Sequence, residues 1–199
     1  MSDLYLLKVV NIYKHPLIFD ILRIMKNLFE LFLDVGELKR TERKGWKRAG
    51  IDDPESVSDH SFRAAFMAFI LGEKFDLDSS HLIKLLLIHD IAEAKTGDLT
   101  PHDYDTVEEK FEIEKKAVES IFDPFTDENR MIELWKEFET GESREAKIAR
   151  DIDKLEMIIQ ALEYKEEFPD KDFSKFIQEG NKKIESQEIK DVLEELSKR

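Results

Sequence analysis

The spacing of apolar residues is the feature that most restricts the fold of this chain. Long segments place apolar side chains three and four positions apart, and none shows the strict alternation of a β-strand. Only 7 glycines and 5 prolines occur in 199 residues, so helices of this spacing meet few breakers. A chain of this length can bury the core of one domain. The sequence therefore predicts an all-α fold, a helical bundle.

The helix limits follow from this spacing and from capping residues. Ser58 or Asp59 is expected to cap the second helix, and Asp78 or Ser79 the third. The stripe expected to face the core on the second helix comprises Phe62, Ala65, Phe66, Phe69 and Ile70. The predicted helices cover residues 17–38, a second from about 58, a third from about 79 to 95, then 106–121, 127–138, 143–167 and two short C-terminal segments. Residues 1–24 are predicted to be a helical extension of a main domain at 25–199.

Charge and cysteine content exclude several classes of function. The net charge of −14 repels nucleic acid and anionic membrane surfaces, so neither is an expected partner. The chain has no cysteine, which excludes disulfides and thiolate metal sites. The N-terminal apolar run is interrupted by Lys8, Asn11 and Lys14, and it is too short and polar to span a bilayer. We expect a soluble, cytoplasmic protein whose metal, if present, is held by His, Asp or Glu.

Three polar residues stand at places where side chains are expected to be buried. His89 ends the stripe Leu82, Leu85 and Leu86, Asp90 follows it, and His60 lies in the first turn of the preceding helix. A lone core histidine is more often a hydrogen-bonded structural residue than a ligand. Here, however, two imidazoles and a carboxylate come from consecutive helices, and they suit a borderline-to-hard divalent cation.

A fourth ligand is expected from the helix at 143–167. Asp151 lies near its main apolar face, whereas Asp153 lies roughly opposite, so periodicity mildly favours Asp151. Small apolar residues such as Ala146 and Ala149 occupy the opposite face, so the helix can be buried nearly all round. Periodicity therefore leaves both aspartates open.

The residues around these candidates resemble the HD-domain phosphohydrolases, whose metal signature is a His, a His-Asp pair and a distant Asp. The flanking segments are similar to the HD-domain 5'-deoxynucleotidases over about residues 25–165. These segments read RKGW at 43–46, ESVSDHS at 55–61, HDIAE at 89–93, TGD at 96–98 and DKLEMI at 153–158. The resemblance places the fourth ligand at Asp153.

The resemblance implies an enzyme that hydrolyses 2'-deoxyribonucleoside 5'-monophosphates to deoxynucleoside and phosphate. The implied cofactor is a divalent cation, one of Co, Mn, Mg, Fe, Ni or Zn. The implied metal ligands are His60, His89, Asp90 and Asp153. Glu93 is expected to carry a proton, and Asp98 to position the attacking water or protonate the leaving oxygen. Without the resemblance, Glu93 reads as a solvated carboxylate and Asp98 as a turn or cap residue.

The loop before the first metal histidine is expected to bind the substrate. Arg43 and Lys44 are both candidates to hold the phosphate, and Trp46 is expected to stack on or exclude part of the sugar. Some relatives place Arg directly before the Trp, whereas Gly45 stands there in this chain. The resemblance and the apolar N-terminal helix also suggest a homodimer.

Two other functions remain open at this point. The same metal site is compatible with hydrolysis of cyclic nucleotides, nucleoside triphosphates or alarmones. A non-catalytic helical module that keeps a metal for stability is the alternative outside enzymes.

Overall fold

The computed structural model describes residues 16–123 and 128–196, and helices dominate these residues. The helices are α1 (Pro16–Glu37), α2 (Lys44–Arg48), α3 (Val57–Lys74), α4 (Ser79–Ile88), α5 (Glu93–Thr96), α6 (Val107–Phe122), α7 (Glu128–Thr140), α8 (Arg144–Glu167), α9 (Ser174–Lys183) and α10 (Gln187–Leu196). Within the described residues the only β-pairing is one isolated bridge between Glu42 and Ser56. The predicted all-α class is confirmed.

Helix α8 is the central element of the bundle. It packs against α3, α4, α7, α9 and α10. Its buried residues lie on all sides rather than on one stripe, and they include Ile152, Leu155 and Ala161 together with Asp153 and Glu156. A helix surrounded in this way can present polar side chains to an interior site from more than one face.

The core has three parts. The largest lies among α3, α4 and α8, with Leu82, Leu85 and Ile152 among its fully buried members. A second surrounds Trp135 and Val118, where α6 and α7 meet the end of α4. The third part is a small aromatic cluster around Trp46, which packs α2 against α8 and α9. The second part includes Val57, the first residue of α3, and thereby helps to fix the N-terminal end of that helix.

Several sequence predictions about these helices were wrong. The cap of α3 is Ser56, not Ser58 or Asp59, because the Ser56 hydroxyl accepts from the Asp59 amide while the Asp59 carboxylate accepts from the Ser56 amide. Asp78 does cap α4, as predicted. The large members of the predicted α3 stripe face outward, with Phe62 72% and Phe66 56% exposed. Its small member, Ala65, is buried as predicted, together with Ala64 and Ala68, on the face that packs into the core.

The N-terminal helix lies at nearly the predicted residues, 17–38. Helix α1 runs without a break through Met25, and most of its large apolar side chains are exposed rather than buried. Residues 1–15 of the predicted extension lie outside the described residues, so the boundary at residue 25 stays a prediction. None of the helices in the described part of the chain is long and apolar enough to cross a membrane.

Candidate functional site

His60 is held at the start of α3 by local capping. The reciprocal Ser56–Asp59 hydrogen bonds fix the first turn, and the His60 amide donates to the Ser56 carbonyl at 3.2 Å. The His60 side chain is fully buried. The capping box therefore sets the position from which the imidazole enters the bundle.

His89 and Asp90 lie where α4 ends. Helix α4 stops at Ile88, and the chain continues in tight turns in which the Ile91 amide donates to the Ile88 carbonyl (3.1 Å) and the Glu93 amide to the Asp90 carbonyl (3.0 Å). Bonds between residues three apart tighten the backbone relative to an α-helix. The prediction of one helix to residue 95 was therefore wrong, and Asp90 and Glu93 are related by a turn rather than by an α-helical face.

Three donor side chains, His60, His89 and Asp90, converge at this point, and Asp153 lies against one of them. His60 Nε2 lies 3.3 Å from His89 Nε2 and 3.1 Å from Asp153 Oδ1. Asp90 Oδ2 lies 3.1 Å from His89 Nε2 and 3.8 Å from His60 Nε2. Ligand atoms that share one cation with bonds of about 2.0–2.2 Å lie roughly 3–4 Å apart. The distances among His60, His89 and Asp90 therefore fit a single divalent cation, and Asp153 adjoins that position through its contact with His60.

Each histidine is oriented to offer Nε2 to a cation. His89 Nδ1 donates to the Leu86 carbonyl oxygen at 2.8 Å, and His60 Nδ1 makes a short hydrogen bond with the Glu156 carboxylate. A proton on Nδ1 leaves the Nε2 lone pair free for a metal. The tautomers, the convergence and the nitrogen–oxygen donor set therefore agree with a metal centre.

The two candidate aspartates of α8 have different surroundings. Asp153 faces His60 and also pairs with Lys154 Nζ at 2.7 Å. Asp151 instead accepts from the backbone amides of Glu185 (3.1 Å) and Ser186 (2.7 Å), just before α10. The structure brings Asp153, not Asp151, to the histidines. The helical wheel misleads here because α8 is buried on all sides.

Charge at the cluster is balanced between acids and imidazoles. Burial raises the pKa of Asp90, but the neighbouring His89, His60 and Arg43 lower it below its ordinary value. Burial and the Arg43 charge lower the pKa of His60, but hydrogen bonds to Asp153 and Glu156 outweigh them and raise it to about 9. Without a metal, the cluster thus favours a protonated His60 between ionised carboxylates. A cation would take the place of that proton.

Glu93 lies beside this cluster and is buried, with 7% of its surface exposed. Its Oε2 atom has no hydrogen-bond partner among the described residues. Burial and the charges of Asp90 and Asp98 raise the pKa of Glu93 well above its ordinary value. A buried carboxyl group with an unused oxygen and a raised pKa can hold a proton and pass it to a reacting group.

Asp98 links the metal region to the loop that precedes α3. Its Oδ2 accepts from the Lys44 backbone amide at 2.5 Å, so this carboxylate anchors the first residue of α2. The capping role considered for Asp98 is therefore present in the structure. Its half-buried position next to Glu93 is compatible with an additional role in catalysis.

The basic residues of this loop point to different places. Burial lowers the pKa of Arg43, but the carboxylates of Asp90, Glu55, Glu156 and Asp153 raise it above its ordinary value, so the guanidinium stays charged close to the metal ligands. Lys44 Nζ instead lies 3.8 Å from Asp103. The charge of Arg43, rather than that of Lys44, therefore acts on the carboxylates of the metal cluster.

Trp46 is 1% exposed and belongs to an aromatic cluster. Its ring lies 4.3 Å from that of Phe176 and 5.3 Å from that of Tyr164, and its Nε1 donates to Glu55 Oε1 at 2.8 Å. Direct stacking of Trp46 on a sugar thus stays a prediction, and in this structure the indole packs α2 and holds Glu55.

Sequence reasoning missed Glu156 and Arg63 as parts of the site. Glu156 is fully buried on α8 and contacts both His60 and Arg63. A carboxylate one turn after Asp153, within a helix that has small and apolar residues on all sides, is the signal that could have identified it.

Comparison with known proteins agrees with this geometry. An HD-domain family profile matches residues 35–195. A 5'-deoxynucleotidase of Dictyostelium discoideum is 40% identical over 152 residues, covering 72% of this chain and 80% of that protein. A 5'-deoxynucleotidase of Homo sapiens is 39% identical over 143 residues, covering 71% of this chain and 70% of that protein. A conserved hypothetical protein from Pyrococcus furiosus has the same fold, with a TM-score of 0.72, 34% identity and coverage of 86% of this chain and 99% of that one. This chain belongs to the HD-domain 5'-deoxynucleotidase family, a family of metal-dependent hydrolases.

Proposed function

We propose that the protein is a metal-dependent 5'-deoxynucleotidase that hydrolyses 2'-deoxyribonucleoside 5'-monophosphates to deoxynucleoside and phosphate. The names of its relatives support this activity. The observation that carries it is the convergence of His60, His89 and Asp90, with Asp153 against His60. Beside them lies Glu93, whose buried Oε2 has no partner among the described residues. A purely structural metal site would not need such a carboxyl group.

The proposed metal ligands are His60, His89, Asp90 and Asp153. A divalent cation held there supplies a water of lowered pKa and neutralises charge on the phosphate. Two imidazoles and two carboxylates accept Co, Mn, Mg, Fe, Ni or Zn to differing degrees, and metal availability decides which is bound.

Glu93 is proposed to move the proton in this reaction. Burial and the neighbouring carboxylates of Asp90 and Asp98 raise the pKa of Glu93, which makes it a stronger base. It can therefore take a proton from the attacking water. Asp98 lies between Glu93 and α2, and we propose that it positions that water or returns the proton to the leaving 5'-oxygen.

Arg43 is proposed to bind the phosphate. Its permanent charge lies near Asp90 and Asp153, so a phosphate bound at the metal would lie within its field. Trp46 is proposed to shape the sugar side of the site, through its ring or through Glu55, which it holds by a hydrogen bond. The net charge of −14 makes such a local cation necessary, since the overall field repels phosphate.

A substrate panel tests the proposed activity. Phosphate release is measured from matched 2'-deoxy and ribo 5'-monophosphates with Co²⁺, Mn²⁺ or Mg²⁺, and from cyclic nucleotides and triphosphates. We expect release from the 2'-deoxy monophosphates, with slower release from their ribo counterparts. Hydrolysis of a cyclic nucleotide or a triphosphate, with the monophosphates untouched, would replace this assignment by another reaction on the same metal site.

The protein is further proposed to be a homodimer. Six phenylalanines of α1 and α3 are 45–72% exposed: Phe19, Phe29, Phe32, Phe62, Phe66 and Phe69. An aromatic side chain has a surface of about 150–250 Å², so the exposed fractions of these six side chains on two helices add up to about 700 Å² of apolar surface in water. A typical stable interface buries about 800 Å² on each partner. An anionic membrane is a poor alternative partner for a chain of net charge −14.

Light scattering coupled to size-exclusion chromatography tests the dimer. Phe66→Glu places a charge on the exposed face of α3 and is expected to give a monomer. Val107→Glu is the matched control, because Val107 is 74% exposed and lies on neither α1 nor α3, and it should leave the mass unchanged. A monomeric wild-type protein would contradict the proposal.

A further inference from the structure

Behind His60, on the side away from the metal cluster, lies a buried network of charged side chains. Glu156 is fully buried on α8 and accepts from His60 Nδ1 through one carboxylate oxygen. Its other oxygen accepts from Arg63 Nε at 2.7 Å. Arg63 lies three residues after His60 on α3, so the network ties α3 to α8 at the level of the metal ligand.

The spacing on α8 gives this network its function. Asp153 and Glu156 are three residues apart on the same helix, and they contact opposite nitrogens of one imidazole. The Asp153 carboxylate lies at Nε2, whereas the Glu156 carboxylate lies at Nδ1. A carboxylate at Nδ1 holds the proton on that nitrogen and leaves the lone pair on Nε2. The ring is thereby fixed in both tautomer and orientation.

Arg63 in turn holds Glu156. Besides Glu156, its guanidinium donates to Gln160 Oε1 at 2.5 Å and to Glu163 Oε2 at 2.6 Å. These three acceptors follow one another along α8, so the guanidinium spans two turns of that helix.

Glu55, His60 and Glu156 lie close enough to suggest a second metal site. Their donor atoms already have other partners, however. Glu55 Oε1 accepts from Trp46 Nε1 at 2.8 Å, and Glu156 accepts from Arg63. A cation would have to enter beside the positively charged Arg63 guanidinium, which already pairs with both carboxylates. The arrangement is therefore a hydrogen-bonded support for His60 rather than a second cation site.

We propose that Glu156, held in place by Arg63, is a positioning residue that fixes His60 in the tautomer that binds metal through Nε2, and so sets the metal affinity. This inference rests on the proposed metal site but not on the proposed substrate. The inference predicts that Glu156, which does not contact the cation, controls how tightly the cation binds.

Zinc binding by calorimetry tests this inference. Glu156→Ala and the milder Glu156→Gln are expected to weaken Zn²⁺ binding by about 10- to 100-fold, the range usual for lost support of a metal-ligating histidine. Glu163→Gln is the matched control, because Glu163 also binds Arg63 but does not contact His60, and it should change affinity less than twofold. Folding of each variant is checked by circular dichroism, and Glu156→Gln keeps the side-chain shape if Glu156→Ala does not fold.

A spectroscopic readout separates positioning from general destabilisation. In two-bond ¹H–¹⁵N spectra of the zinc-loaded wild-type protein, His60 is expected to carry its proton on Nδ1. A proton on Nε2, or Glu156→Gln binding zinc as tightly as wild type, would overturn the inference. If wild type itself binds no zinc or other divalent cation, the proposed metal site fails first, which is a distinguishable result.

Discussion

Replacing Asp151 and Asp153 separately by alanine should give opposite results, although the two residues are only two positions apart on α8. Asp151 accepts three hydrogen bonds from the amides of Glu185 and Ser186 at the start of α10. Loss of a helix-capping side chain costs about 1 kcal/mol, and hydrogen bonds to a charged acceptor contribute about 1.5–3 kcal/mol. We therefore expect Asp151→Ala to lower the free energy of unfolding by about 2 kcal/mol.

That loss corresponds to a fall in Tm of about 4–8 °C for a chain of 199 residues. Metal affinity should be unchanged, since Asp151 faces α10 and not the histidines. Asp153→Ala should instead weaken metal binding by at least tenfold, because it removes the carboxylate 3.1 Å from His60 Nε2. Calorimetric unfolding and metal titration of both variants measure the two effects. Loss of metal in Asp151→Ala with full binding in Asp153→Ala would refute the reasoning.

Three further predictions concern protons, catalysis and backbone strain. The His60 pKa of about 9 lies above neutral pH, so the imidazole is protonated at pH 7.5 when no metal is bound. Metal binding at pH 7.5 should therefore release about one proton, which calorimetry in buffers of different ionisation enthalpy measures. Metal affinity should rise about tenfold per pH unit up to about pH 9. Glu93→Gln should lower kcat by about 10²–10⁴ at unchanged metal content, whereas Glu114→Gln, an equally buried control, should change kcat less than threefold. Gly97→Ala should lower the free energy of unfolding in denaturant by about 1–3 kcal/mol, because Gly97 has φ +69° and ψ 173°. Gly36→Ala in α1 is the control: a Cβ has equal free space there, and the free energy of unfolding should not fall.

Helix positions were predictable where capping and apolar spacing agree. Asp78, Thr106 and Ser143 cap α4, α6 and α8 near the expected residues. The break after Ile88 was not predictable from periodicity, because it depends on backbone bonds between residues three apart and on the His89 side chain bonding back to Leu86. Local spacing does not encode such a tightened turn.

Residue size decided which face of α3 is buried. The phenylalanine stripe has the stronger apolar signal, yet Ala64 and Ala68 face the core, because α4 and α8 approach α3 closely there. Gly72 shows the same closeness, since a Cβ built on it would lie 2.6 Å from that of Ser79. A hydrophobic stripe on one helix does not indicate whether that face packs in the protein's own core or forms an exposed interaction surface.

The candidate site was predictable in its residue types but not in its supports. His60, His89 and Asp90 were predicted from their positions on the helices, and Asp153 from the family resemblance. The structure brings the donor atoms of the first three together and places Asp153 against His60. The Glu156 contact depends on how α3 and α8 pack, 96 residues apart in sequence. No local pattern predicts a contact of that separation.

The most direct test of the central claim is phosphate release from a 2'-deoxyribonucleoside 5'-monophosphate as the metal is removed and restored. We predict that a chelator abolishes release, that Co²⁺ or Mn²⁺ restores it, and that folded His89→Ala protein stays inactive at any added metal concentration, because it lacks the imidazole 3.1 Å from Asp90. Release that survives the chelator, or that persists in His89→Ala, would contradict a metal centre built on these residues.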